Sequence, residues 1–212
     1  LLAAGYAPAY ERRALDDPAM AAARETIDLL LRCHEPNPAL VIDRHWNLLA
    51  ANRALPVILG DIPPHLMTPP VNVLRLAVHP EGLASRIVNA RQFSGFLAAR
   101  LRHEAALSGD SALSALHEEI DAYRRGQGWG DPRPEDDQAA GIAVPFRIRT
   151  ELGILSFLGT TTVFGTATEM TVAELTIESF FPLDSTTREA LAGMAQSFSS
   201  AEPSGRQGAE SR

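Results

Sequence analysis

Residues 38–52 read PALVIDRHWNLLAAN, a stretch that changes its pattern three times within fifteen residues. Ala39 to Ile42 is an apolar run that stops at Asp43, and Trp46 to Ala51 is a second that stops at Asn52. The pattern predicts strand, turn, strand and helix start in immediate succession. Asp43, Arg44, His45 and Asn47 supply the turn, since short polar side chains hydrogen-bond nearby backbone groups. Asn52 is placed to cap a helix over 53–59 by accepting a free N–H in its first turn.

Upstream, Asp16-Asp17-Pro18 reads as a helix start, with acid at the positive end of the dipole and proline near the first turn. Met20, Ala23, Ile27, Leu30 and Leu31 then recur at helical spacing, and Arg24, Glu25, Asp28 and Arg32 fall off the stripe, so this helix should lie across a sheet. It stops at His34-Glu35-Pro36-Asn37-Pro38. Downstream, residues 61–70 hold four prolines and form a loop. A long helix is predicted over 83–107, with Leu83, Ile87, Ala90, Ser94, Leu97 and Leu101 on one face; Phe93 and Phe96 widen the apolar stripe. Ser108-Gly109-Asp110 breaks it, and a further helix carries Leu113, Leu116, Ile120 and Tyr123 to an end at Arg125-Gly126.

Residues 126–138, GQGWGDPRPEDDQ, have no periodicity and read as an exposed connector. Alternation then returns in Ile142, Val144, Phe146 and Ile148, in a long strand over 154–164, and in Ala173, Leu175, Ile177 and Phe181 against Glu174, Thr176 and Glu178. Asp184 caps a last helix over 185–196, and 199–212 is a polar tail expected to be disordered. The sum is an α+β domain: a five-stranded antiparallel sheet, with helices inserted between the first hairpin and the last three strands. That is the order of a PAS-like fold, and it leaves a cavity between helix layer and sheet.

The hairpin, Pro69-Pro70-Val71-Asn72-Val73-Leu74-Arg75-Leu76-Ala77-Val78-His79-Pro80-Glu81-Gly82, and the stretch from Phe164-Gly165-Thr166 to Phe180-Phe181-Pro182-Leu183-Asp184 together resemble the MmyB-like ligand-binding domain of Xre-family bacterial transcription regulators. The resemblance spans roughly residues 19–195. It implies a PAS-like fold, a buried pocket that in some members holds a fatty acid, and a DNA-binding helix-turn-helix domain ahead of it. Residues 1–15 then resemble the end of such a domain and its connector, 16–198 form the ligand-binding domain, and signal would pass through the segment 1–31. The alternative for the first residues is a truncated terminus with no such domain upstream.

A chain of 212 residues with 45% hydrophobic and 21% charged residues can bury a real core. No run approaches the ~20 apolar residues that span a bilayer, and a cytoplasmic location is expected. The net charge of −7 argues against this chain gripping a phosphate backbone by itself, so DNA contact is expected only through the upstream domain. All 19 basic residues are arginine, so being arginine singles out none of them. The single cysteine, Cys33, excludes an internal disulfide, and a buried inert thiol in a helix is expected.

Arg75 is the residue singled out for ligand contact. It lies between apolar residues, so its guanidinium must pair with an anion inside, such as a fatty-acid carboxylate, or with an internal acid such as Glu178, or reach solvent along its stem. Asn72 would add a donor, with Arg86, Asn89 or Arg91 flanking the mouth. The apolar lining is assigned to Leu40, Ile42, Trp46, Leu48, Leu74, Phe93, Leu97, Phe157 and Ile177, each of which also suits plain core.

The six histidines share no ligand spacing, since His103-Glu104 and His117-Glu118 lack the second histidine of an H-E-x-x-H motif. Surface or capping roles are expected, with no metal and no cofactor. G-x-S-x-G, G-x-x-x-x-G-K-[ST] and G-x-G-x-x-G are absent, and Asp16-Asp17 and Asp136-Asp137 sit where dipole and solvation explain them. The reading is a ligand-sensing regulatory domain that works by population shift, not an enzyme. The rivals are an enzyme or carrier using the same cavity and a protein-interaction domain with a filled core; a homodimer is left open.

Overall fold

The computed structural model describes residues 17–130, 144–163 and 174–200. Strands β1 (Ala39–Ile42) and β2 (Leu48–Ala51) form the expected hairpin, with Leu40 opposite Ala51 and Val41 opposite Ala50. Asp43 builds its turn: Oδ1 accepts the N–H groups of His45 (2.8 Å) and Asn47 (2.9 Å). Then come α1 (Ala21–His34) upstream and, downstream, α2 (Pro56–Leu59), α3 (Val73–Val78), α4 (Ala90–Ser108) and α5 (Ser111–Gly126). Strands β3 (Phe146–Thr150), β4 (Gly153–Val163) and β5 (Thr176–Pro182) form the meander, and α6 (Ser185–Ser200) closes the described chain.

β5 returns to pair antiparallel with β1, so the sheet order is β2-β1-β5-β4-β3. This is the α+β arrangement expected from the sequence, with the helices inserted between hairpin and meander. Both faces of the central strands are covered. On one, Ala39, Val41 and Ile177 pack with Ile27 and Leu31 of α1; on the other, Leu40, Ile42, Leu155 and Phe157 join the core under α2 to α5. Alternate residues of β1 and β5 therefore serve two separate apolar layers.

Local chemistry sets the helix ends. Gly109 takes the left-handed conformation (φ 65°) after α4, and the Asp110 carboxylate accepts the Ala112 N–H at 2.8 Å to start α5. Asp184 likewise accepts the Thr187 N–H at 2.7 Å. Asn52 does not cap α2 as expected, because that helix begins after Leu55 with no side-chain hydrogen bond at its start, and Asn52 instead links separate segments. Its Oδ1 accepts the N–H groups of Ala39 (3.1 Å) and Ala54 (3.3 Å), while Nδ2 donates to the carbonyls of Leu31 (3.2 Å) and Asn37 (2.8 Å). One buried amide thus ties α1, β1 and the segment after β2 together, and the regular helix starts later than expected, at Pro56.

The helix expected over 83–107 is in fact two pieces, a π turn at Pro80–Ala84 and then α4. Residues 86–88 lie along β3 instead: Val88 N–H donates to Arg147 O (2.8 Å), Arg149 N–H to Arg86 O (2.9 Å), and Ile87 bridges Ile148. Satisfying the open edge of the sheet outweighs continuing the helix. Gly82 lets this turn close on α3, since a Cβ there would lie 2.4 Å from Leu76 O.

Cys33 is exposed, against the expectation of a buried thiol, because α1 meets the sheet through Ile27 and Leu31 and position 33 lies on its far side. The helix-turn-helix remnant expected at 1–15, most of the connector and the tail beyond 200 lie outside the described residues. Among the described residues no helix is long and apolar enough to cross a membrane.

Candidate functional site

A cavity of about 240 Å³ separates the inner face of the sheet from α2, α3 and α4. Leu40, Leu48, Phe146, Gly159 and Phe180 form its floor; Leu55, Ile58, Leu74, Leu76, Phe93 and Leu97 are among the side chains that form its roof. An aromatic stack supports one end, with Phe93 at 4.8 Å and Phe180 at 5.6 Å from the Phe146 ring. No Cβ stands over Gly159, and nothing lies within 4 Å of where one would be, so this strand position gives the cavity part of its depth.

The polar part of the wall is a single cluster. Arg100 of α4 reaches across to the sheet, where it pairs with Glu178 of β5 (Nη1 to Oε1, 2.9 Å) and donates to Thr161 Oγ1 (3.2 Å). Its Nε also holds Glu104 at 3.0 Å, and its guanidinium lies 4.4 Å from the centre of the Trp46 ring. Trp46 Nε1–H in turn donates to the other Glu104 oxygen at 2.8 Å. Trp46 has φ 66°, a left-handed conformation that costs ~1 kcal/mol for a bulky residue. Its N–H to Asp43 O (3.0 Å) and its O to Val73 N–H (2.9 Å) hold it there. Burial pushes the Glu178 carboxyl above the usual carboxylate range, and Arg100 and Thr161 oppose that only in part. Trp46 and Arg100 also line a second, more open cleft with Asp43, Arg44, Glu104 and Glu174, so the pair forms a partition between cavity and cleft.

Of the residues assigned from sequence, Leu40, Trp46, Leu48, Leu74, Phe93 and Leu97 are brought together around the cavity. Arg75 is not. Its guanidinium grips Glu119 of α5 through Nε and Nη2, both at 2.8 Å, and Tyr123 Oη donates to the same carboxylate at 3.0 Å. The partner it needs is supplied by the outer face of the helix layer. Asn72 is buried, but its Oδ1 accepts the Leu74 and Arg75 N–H groups as the cap of α3, and Nδ2 donates to His45 O at 2.8 Å. Phe157 is fully buried beneath Phe146 and Phe180 and supports the floor without bordering the space. Ile177 faces α1, and its neighbours Glu178 and Phe180 face the cavity. Ile42 borders the cleft rather than the cavity.

Of the flanking residues, Arg86 donates to the carbonyls of Ile58 and Leu59, and Asn89 Nδ2 to Pro145 O at 2.8 Å. His65, His79 and Glu81 converge to within 4.8 Å, which their separation across a proline loop concealed. His79 Nδ1 accepts the Glu81 N–H (3.1 Å) and so acts as a cap.

The model of the MmyB-like transcription regulator ligand binding domain matches residues 23–194. The chain belongs to that family. The MmyB-like domain described above is therefore a regulator's ligand-binding module and not an enzyme. No curated protein matches the chain.

Proposed function

We propose that this MmyB-like domain is the sensor of a cytoplasmic Xre-type regulator and that its ligand is an elongated apolar small molecule, such as a fatty acid, lying in the cavity between sheet and helix layer. The observation that carries the proposal is a cavity walled by aliphatic and aromatic side chains with one polar cluster, Arg100, Glu178 and Thr161. Burial there would hold a chain at ~0.8 kcal/mol per methylene, and the cluster would fix its polar end. Trp46, Leu74, Phe93 and Leu97 are the proposed wall contacts; Phe157 and Asn72 support them from behind, and Arg75 fastens α3 to α5 by its pair with Glu119.

Binding would act by shifting a population. A ligand that props α3 and α4 away from the sheet favours one packing of the layers over another. β1 and β5 present Leu40 and Glu178 to the cavity and Val41 and Ile177 to α1, so a change in the floor meets the N-terminal helix one residue away. DNA contact belongs to an upstream domain in this proposal, because the chain's own charge is −7.

Mass spectrometry of an organic extract of the purified protein tests the reading. It expects an apolar small molecule at about one per chain, or stoichiometric uptake of an added one by protein purified empty. Protein that yields nothing and takes up no chain of any length refutes it.

A further inference from the structure

The head-group cluster holds one cation and two carboxylates. Arg100 is shared between Glu104 at 3.0 Å and Glu178 at 2.9 Å, and the Thr161 hydroxyl lies 3.1 and 3.2 Å from the two Glu178 oxygens. Among the described residues, the surroundings add no uncommitted positive charge. Opposite Glu178 in the sheet stands Leu40, beside it on β4 stands Thr161, and α4 contributes Arg100 and Glu104. Arg44, across the cleft, is engaged by Asp110 at 3.6 Å and Glu174 at 3.9 Å. A carboxylate arriving at this end of the cavity would be the third around one guanidinium. Like charges crowded within ~4–6 Å force one of them to take a proton. Glu178 is the one placed to do so, since its side chain is 13% exposed against 34% for Glu104. Burial already biases the Glu178 carboxyl toward its protonated form.

We propose that the cavity accepts its ligand only with a proton at the polar end: a hydroxyl-ended chain as it stands, and a carboxylate-ended chain together with one proton from solvent that is shared between it and Glu178. This rests on the reading of the cavity as the ligand site and adds to it the chemistry of the head group. Arg100 then keeps its bond to Glu104 and turns one N–H to the ligand oxygen, while protonated Glu178 donates to the other oxygen. A free carboxylate with no accompanying proton is excluded.

Calorimetric titration of the chain with decanoic acid and with decan-1-ol, from pH 6 to pH 9 and in buffers of different ionisation heat, tests this. Decanoate is expected to bind with uptake of about one proton and to lose up to about tenfold in affinity per pH unit, while decanol changes by less than about threefold. In Glu178→Gln the carboxamide donates without titrating, so proton uptake and pH dependence for decanoate disappear and its affinity at pH 8 rises about tenfold or more. Should that variant not fold, the proton count on the unaltered chain still decides. Decanoate binding with no proton uptake and a flat pH profile overturns the proposal, as does decanol binding where decanoate fails even at pH 6. If neither compound binds, the reading of the cavity falls and takes the proposal with it.

Discussion

Replacing Gly159 by leucine fills the proposed site from a position where the backbone permits it. Gly159 lies in β4 opposite Phe180, faces the cavity, and has nothing within 4 Å of a Cβ built on it. The side chain places four carbons where a ligand would lie. At ~0.8 kcal/mol for each methylene displaced this amounts to about 3 kcal/mol, or a hundredfold loss of affinity. Stability moves the other way, because a strand-interior glycine gives way to a residue that buries apolar surface; a gain of about 0.5–1 kcal/mol is expected. Trp46 stands in the wall, so its emission reports occupancy, and a Trp129→Phe background removes the second indole. Titration with a long-chain alcohol and a thermal melt then separate the effects. Affinity within about threefold of the parent in a folded variant refutes the placement of the ligand over β4. A melting point lower by more than about 5 °C refutes the claim that the space above Gly159 is open.

Arg75→Ala is expected to leave ligand affinity within about twofold and to cost about 0.5–1 kcal/mol, because the pair with Glu119 is partly solvent-screened. The Arg75 hydrogen bond holds the Glu119 carboxyl below its usual range, so its contribution is present above the unfolded pKa of ~4.3 and fades as pH falls through the lower folded value. Melts of Glu119→Gln and the parent should therefore differ at pH 7 and converge in acid; a difference that persists below both values contradicts this. Asn52→Ala strands two N–H and two C=O groups in buried surroundings and should cost about 3 kcal/mol or more by denaturant melt, with a cost below about 1 kcal/mol counting against the described network. Ile177→Val should cost about 0.5–1.5 kcal/mol and leave affinity unchanged by calorimetry, as befits a residue packed on α1; an affinity loss would return it to the cavity wall.

The hairpin, the break at Ser108-Gly109-Asp110, the Asp184 cap and the closing meander are legible because each is written in local chemistry: turn residues, a capping acid and a period of two. The cluster of Arg100, Glu178 and Thr161 is not. Arg100 is one arginine among 19 in an amphipathic helix, and its partner Glu178 comes from a strand covered on both sides, where alternation does not tell which face meets the cavity. The hydrophobicity of Ile177 suits the cavity side, yet α1 offers it an equally apolar home. The break before α4 was hidden for a similar reason. Leu83, Ile87 and Ala90 keep helical spacing, and it is the edge of β3, far along the chain, that binds residues 86–88 through Ile87 and the Arg86 and Val88 backbone. Arg75 looked like a buried charge in want of an anion, and Glu119 on α5 supplies one.

The central claim is that the space between sheet and helix layer is a ligand site whose walls read chain length. Calorimetric titration with a homologous series of straight-chain alcohols measures it most directly. One molecule per chain is expected, with affinity rising about fourfold per added methylene until the cavity is full and no further beyond that length. Absence of binding across the series, or affinity indifferent to chain length, would contradict it.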